Sequence, residues 1–164
     1  MERDRPIAEM FIFAGDGRFP NSGLPLLVYR EALDPSAAAI ERHFQQHGWC
    51  NTWRDGIYRF HHFHIVHEVL GIAVGRVEVA FGGPSGRIVQ ASAGDAIVIP
   101  AGIAHSNHRQ SSDLLVVGAY PDGADWDVRR GDPHEYEQCR DAIAAVALPR
   151  LDPVTGATIE PWLT

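Results

Sequence analysis

Residues 56–75 read GIYRFHHFHIVHEVLGIAVG and hold three potential metal ligands at even spacing, His62, His64 and Glu68. Side chains two residues apart on a β-strand point to the same face. If the strand continues to residue 68, all three side chains share that face. Imidazole nitrogens and a carboxylate oxygen suit a divalent first-row metal. The stretch therefore predicts a metal site.

A fourth candidate ligand, His105, follows a second informative stretch. Residues 96–99 are continuously apolar, which predicts a strand buried on both faces. The turn residues Pro100 and Gly102 come next, and they predict a reversal that presents His105 to the barrel mouth.

The first stretch resembles motif 1 of the cupin superfamily. That motif consists of a glycine, five residues, His-X-His, three or four residues, a glutamate, six residues and a glycine. Every fixed position is filled here, by Gly56, His62, His64, Glu68 and Gly75.

The second stretch resembles cupin motif 2, which ends in a histidine, three residues and an asparagine. Gly94, Pro100, Gly102 and His105 match, but Arg109 stands where the family has asparagine. The asparagine is not a metal ligand in the family, so the departure leaves the implied metal site intact.

A narrower resemblance covers most of the chain and is to the YjlB-like group of single-domain cupins. It is carried by residues 26–30, 47–49, 67–71, 94–95, 117–121 and 149–154. The resemblance implies an all-β-dominated fold, the double-stranded β-helix or jelly-roll barrel, with flanking N- and C-terminal helices. It also implies one divalent ion (Fe, Mn, Ni or Zn) held by His62, His64, Glu68 and His105, and it implies no particular reaction.

The length of 164 residues suits one domain. We predict N-terminal strands and a helix in residues 1–55, a barrel core in 56–121, and a C-terminal helix and tail in 122–164. The pairs Asp34-Pro35 and Asp132-Pro133 predict helices over 35–46 and 133–146, each with aspartate as N-cap. Trp49 and Trp53 are expected in a connector, Gly75-Arg76 in a tight reversal, and the proline-rich tail on the barrel or a partner subunit.

The residues around the predicted ligands leave alternatives open. His61 and Phe63 have the opposite parity to His62 and should face away from the metal. His67 should also point away, as a hydrogen-bond partner to a ligand, or else bind the metal where the strand bulges. Candidate pocket residues, for which ordinary packing is the alternative, are Tyr58, Phe60, Asn107 and His108.

Composition excludes several classes of partner. The formal net charge is −7 and the 14 basic residues are all arginine, which argues against nucleic acid. Cys50 and Cys139 lie too far apart in sequence for a metal-binding pair or a disulfide framework, and they fit a reducing cytoplasm. The N-terminus lacks the apolar core of a signal peptide, and no apolar run approaches the length of a membrane span.

Three functions remain. In the first, a metal-dependent oxygenase, isomerase or lyase acts on a small organic molecule at open metal positions, with Glu68 as a possible base. In the second, the protein binds or senses a small molecule without catalysis. The third, a metal-free epimerase-like cupin, would need a His–Asp or His–Tyr pair in place of a metal. The full set of His62, His64, Glu68 and His105 argues against it. A homodimer is expected through the apolar strands predicted at residues 10–13 and 26–29.

Overall fold

Two antiparallel sheets make up the barrel in the computed structural model, which describes residues 5–163. Residues 1–4, part of the N-terminus predicted to lack a signal peptide, and residue 164 lie outside the described residues. The strands are β1 (Glu9–Phe13), β2 (Ser22–Tyr29), β3 (Trp49–Asp55), β4 (Glu68–Val74), β5 (Arg76–Phe81), β6 (Arg87–Ser92), β7 (Ala96–Ile99), β8 (His105–Gln110) and β9 (Leu115–Pro121).

The six-stranded sheet has the order β1-β2-β7-β4-β9-β3 and the smaller sheet the order β6-β5-β8. Every strand pair is antiparallel. The predicted all-β cupin architecture is therefore confirmed. The N-terminal segment 1–55 contributes β1, β2 and β3 to the larger sheet.

The larger sheet is buried on both faces, because apolar residues of β2, β4, β7 and β9 alternate between two cores. One core lies between the sheets and includes Leu70 and Ile97 together with Val79 and Phe81 of β5. The other lies beneath the first helix and the C-terminal tail and includes Val69 and Val98. This arrangement explains the continuous apolar run of β7, as expected for a strand without a solvent face.

The first helix, α1, spans Ala37–Gln46 and buries Ile40 and Phe44 against the sheet. Its N-cap is Ser36, whose hydroxyl accepts a hydrogen bond from the Ala39 N–H at 3.2 Å. The predicted aspartate cap two residues earlier is therefore wrong, because the serine hydroxyl takes that role.

The second helix, α2, spans Tyr136–Ala144 and follows a 3₁₀ turn over Pro133–Glu135. Asp132 caps the turn as predicted and accepts from the His134 N–H at 2.9 Å. The helix ends two residues before the predicted Val146.

Two sequence predictions about the barrel strands are wrong. Trp49 and Trp53 lie in β3, not in a connector, because a bulge between Cys50 and Trp53 breaks the alternation that would reveal a strand. Gly75 (φ +83°) turns the chain from β4 in one sheet to β5 in the other, so it forms a corner between sheets instead of a tight reversal.

The C-terminal tail packs on the barrel of its own chain, which was one of the two predicted positions. The Trp49 indole N–H donates to the Leu151 carbonyl at 2.9 Å, and the Trp162 indole N–H donates to the Pro25 carbonyl at 2.8 Å. Both indoles are buried, so the tail forms part of the second core. Across residues 5–163, every helix is too short or too polar to cross a bilayer.

Candidate metal centre

Three histidines and a glutamate meet at one end of the barrel. The ligand nitrogens of His62, His64 and His105, here called the histidine cluster, lie within 4.8 Å of one another, and all three side chains are buried. Glu68 Oε1 lies 3.4 Å from His105 Nε2 and 3.7 Å from His64 Nε2. The structure thus brings together the four side chains singled out as metal ligands from the sequence.

The sequence suggested that one strand carries His62 and His64 and continues to Glu68, but the structure differs. Most of that segment is irregular, and His62 is joined to His105 by two backbone hydrogen bonds of 3.1 and 2.8 Å. The Gly102 N–H, in the turn before β8, donates to the His64 carbonyl at 2.9 Å. Glu68 begins β4. A short bridge and a turn therefore set the geometry of the cluster.

Each imidazole in the cluster directs its Nδ1 at a backbone carbonyl. A carbonyl oxygen only accepts, so each Nδ1 carries the proton and each Nε2 keeps a free lone pair. The carbonyls belong to Phe60 for His62 (3.0 Å), Ile103 for His105 (3.0 Å) and Asp127 for His64. Such partners fix the tautomer and the ring orientation of metal-ligating histidines.

The charge state of the site suits a cation. Burial lowers the pKa of His62 to about 3, assisted by the neighbouring His105 and His64. Burial likewise lowers the pKa of His64. Burial alone would raise the pKa of Glu68, but the neighbouring His105 and His64 bring it below its usual value. An ionised Glu68 carboxylate thus faces the neutral imidazoles of His62 and His64. Metals bind the neutral form of histidine.

This donor set fits a divalent transition metal. Three imidazole nitrogens and one carboxylate oxygen would hold such an ion and would leave room for a further ligand. A structural site would be closed, whereas open positions are typical of sites that bind a further ligand.

A pocket of about 270 Å³ opens beside the four side chains. Three of its aromatic lining residues, Trp53, Tyr120 and Trp126, were not among the candidates from sequence. No local pattern marks them: Tyr120 ends an apolar strand, Trp126 lies in the loop after it, and Trp53 lies in the strand that the bulge obscures.

Of the predicted pocket residues, Tyr58 alone lines the pocket. Its ring is half-exposed and lies 5.1 Å from that of His62. Phe60 stacks on Tyr58 at 4.8 Å, with the Arg130 guanidinium 3.9 Å from the centre of the Phe60 ring. Phe60 thus supports the pocket wall from behind.

Asn107 and His108 do not line the pocket. Asn107 is buried and its amide N–H donates to Gln110 Oε1 at 2.7 Å. His108 is exposed. His61 faces away from the histidine cluster, as its parity predicts, and packs against Phe19 at 5.8 Å.

His67 is buried away from the cluster, with both ring nitrogens occupied by the backbone. Its Nδ1 accepts from the Ala101 N–H at 2.9 Å, and its Nε2 donates to the Ala147 carbonyl at 3.2 Å. His67 therefore ties β4 to the turn before β8 and to the C-terminal segment, and it has no nitrogen free for a metal.

We expect His67 to make the metal-free protein acid-sensitive. Burial lowers its pKa to about 4, below the ordinary 6.5 of the unfolded chain. The unfolded state therefore binds more protons between these values, so stability is retained above about pH 6.5 and lost as the pH falls toward 4. On going from neutral pH to pH 4.5, His67→Gln should lose about 2–3 kcal/mol less free energy of unfolding than the unaltered protein, measured by urea unfolding in EDTA. The exposed control His108→Gln should lose as much as the unaltered protein. Equal pH dependence in His67→Gln and the unaltered protein would contradict this role.

Tyr120 orients the glutamate of the site. Its hydroxyl accepts from the Trp53 indole N–H at 2.9 Å, and Tyr120 helps to lower the pKa of Glu68. Trp53 fits there because its β3 position faces Gly118, where a Cβ would lie 2.1 Å from the indole ring. Trp53 therefore fixes the Tyr120 hydroxyl beside the Glu68 carboxylate.

Tyr120→Phe keeps the ring and removes the hydroxyl beside Glu68. We expect metal affinity to fall about tenfold or more, as for other outer partners of metal ligands. Competition with a fluorescent chelator measures this. Tyr58→Phe is the matched control, because it removes a phenolic hydroxyl from the lining of the same pocket. Equal affinities for the two variants would show that Tyr120 does not position Glu68.

The double antiparallel sheet with this His, His, Glu and His arrangement defines a cupin. The chain is 40% identical over 158 residues to the uncharacterized protein YjlB of Bacillus subtilis (strain 168), covering 95% of this chain and 93% of that protein. The chain therefore belongs to the YjlB-like family of cupins. No protein-family model matches it.

Similarity to solved structures is more distant. A DUF861 family protein from Thermotoga maritima aligns with a TM-score of 0.36 at 16% identity, over 54% of this chain and 96% of that one. Acireductone dioxygenase from Bacillus anthracis, with a cadmium ion in its active centre, aligns with a TM-score of 0.32 at 18% identity, over 63% and 53% of the chains. Similarity at this level implies nothing about the chemistry of this chain.

Proposed function

We propose that the protein binds one divalent transition-metal ion through the histidine cluster and Glu68 and acts there on a small organic molecule. The proposal rests on one observation above all: three backbone carbonyls fix three Nδ1–H groups, so that the Nε2 lone pairs are free beside a buried carboxylate. Iron, manganese, nickel and zinc all accept this donor set.

When bound, the ion would supply Lewis-acid or redox chemistry to a molecule at its open positions. The side chains of the protein prepare the site for that molecule. Aromatic rings line the pocket, and Tyr120 lies beside Glu68. Glu68 would serve as a base that takes a proton from a molecule in the pocket.

Metal analysis of protein purified without a histidine tag tests the proposal. It is followed by an oxygen-consumption screen with small phenols, thiols and oxo-acids. One equivalent of iron with substrate-dependent oxygen uptake would support an oxygenase. One equivalent of zinc or nickel without oxygen uptake would favour Lewis-acid chemistry or non-catalytic binding. Failure to bind any of the four metals would overturn the proposal.

We further propose that the protein is a homodimer in the cytoplasm. β1 is an edge strand of the larger sheet, and its Met10 and Ile12 side chains are 59% and 73% exposed. An exposed apolar edge favours pairing with a second copy. Light scattering should give twice the 18.1 kDa chain mass. Ile12→Glu should shift the particle to the monomer mass, whereas a monomer in the unaltered protein at high concentration would contradict the proposal.

A further inference from the structure

The wall of the pocket beside the histidine cluster is a flat aromatic surface. Tyr120 and Trp126 stack with their ring planes 19° apart and their centroids 6.2 Å apart. The Trp126 ring also lies 5.6 Å from that of His64. Tyr58 stands edge-on to His62 across the pocket. A ligand next to the metal would therefore contact aromatic rings.

Two of these rings are more exposed than large aromatic side chains usually are. Trp126 keeps 41% of its surface exposed and Tyr58 keeps 47%, and both lie at the same pocket. Open aromatic rings lining a concave site that also holds converging polar groups are typical of a ligand-binding surface. Stacking of an aromatic ligand on these rings would then add to its binding beyond the burial of apolar area.

The charge of the filled site favours an anion. Neutral imidazoles add no charge to a divalent ion and Glu68 adds one negative charge, which leaves a net charge of +1. Arg54 and Asp55, the other charged residues of the pocket lining, carry opposite charges. An uncompensated charge in a buried site is costly, so a ligand with a single negative charge would neutralise the centre.

The pocket has room for a small ring. Its volume of about 270 Å³ accommodates a molecule the size of benzoate beside the histidine cluster.

We propose, on the basis of the metal centre proposed above, that the ligand is a small, flat, unsaturated carboxylate. One carboxylate oxygen fills an open metal position, and the conjugated body packs against Trp126 and Tyr58.

Cobalt(II)-loaded protein tests this inference, because the visible absorption of cobalt changes when a ligand enters its coordination shell. One equivalent of cobalt is first verified by metal analysis in every variant. The protein is then titrated with benzoate, with the saturated cyclohexanecarboxylate and with the neutral benzamide. We expect benzoate to bind about five- to tenfold more tightly than either control compound. Trp126→Leu should abolish the preference over cyclohexanecarboxylate, whereas Trp126→Phe should retain most of it.

The outcomes separate the two proposals. Full cobalt binding with equal affinity for benzoate and cyclohexanecarboxylate overturns the aromatic ligand while leaving the metal centre intact. Equal affinity for benzamide overturns the requirement for an anion. If cobalt does not bind, both the metal centre and this inference, which rests on it, are overturned.

Discussion

His105→Ala should abolish stoichiometric metal binding and leave a folded barrel. Losing an outer partner of a metal ligand costs about 10–100-fold in affinity, so losing a ligand should cost more than about 100-fold. The fold should survive because the two cores of the barrel are built from apolar residues and do not need the ion. Isothermal titration with zinc gives the affinity, and urea unfolding in EDTA tests cooperativity. His62→Ala should behave in the same way.

His61→Ala is the matched control for these variants. His61 is adjacent to His62 in sequence, but its ring packs against Phe19 on the outside of the site. We expect metal affinity within about twofold of the unaltered protein. If His61→Ala lost the metal and His62→Ala retained it, the register of the ligand-bearing segment would be off by one residue.

Gly102→Ala should destabilise the protein strongly and loosen the metal site. The residue adopts φ +97°, and a Cβ there would lie 2.4 Å from the Asn21 carbonyl and 2.5 Å from Ile143. Left-handed strain of about 1–2 kcal/mol adds to overpacking of about 1–3 kcal/mol, so we expect a total loss of about 2–5 kcal/mol. Metal affinity should fall as well, because Gly102 lies in the turn that bonds to His64 and leads into His105.

The control for this prediction is Gly17→Ala. Gly17 also has a positive φ, +87°, but a Cβ there has no atom within 4 Å. Only the backbone strain remains, about 1–2 kcal/mol, and metal binding should not change. Urea unfolding and zinc titration of both variants give the comparison. Equal destabilisation by the two substitutions would show that close packing at Gly102 contributes nothing.

The metal ligands could be predicted from the sequence, because the short spacing between His62 and His64 fixes the direction of their side chains. Two residues apart, His62 and His64 reach one side in a strand or in the irregular bridged segment seen here. The segment was predicted to be a strand and is mostly irregular, but this error did not change the predicted set of metal ligands. The reversal after Pro100 and Gly102 likewise required only the turn residues, which the sequence shows directly.

The pocket walls were not predictable in the same way. Trp126 lies more than 60 residues after His64, and their rings meet only because β9 pairs beside β4 in the larger sheet. Trp53 was hidden by the bulge in β3, and Asn107 shares the strand of His105 but turns its amide to Gln110. These positions depend on contacts between strands that are distant in sequence, and a local residue pattern does not reveal such contacts.

The histidine tautomers provide the most direct test of the metal centre. Long-range ¹H–¹⁵N NMR of the imidazole rings reports the protonation of every ring nitrogen, before and after the EDTA-treated protein takes up one equivalent of zinc. We predict that His62, His64 and His105 carry the proton on Nδ1 in both states and that their Nε2 resonances alone move to metal-bound values. The other six of the nine histidines should not change. Unchanged cluster resonances, or a shift at His61 or His67 instead, would contradict the account.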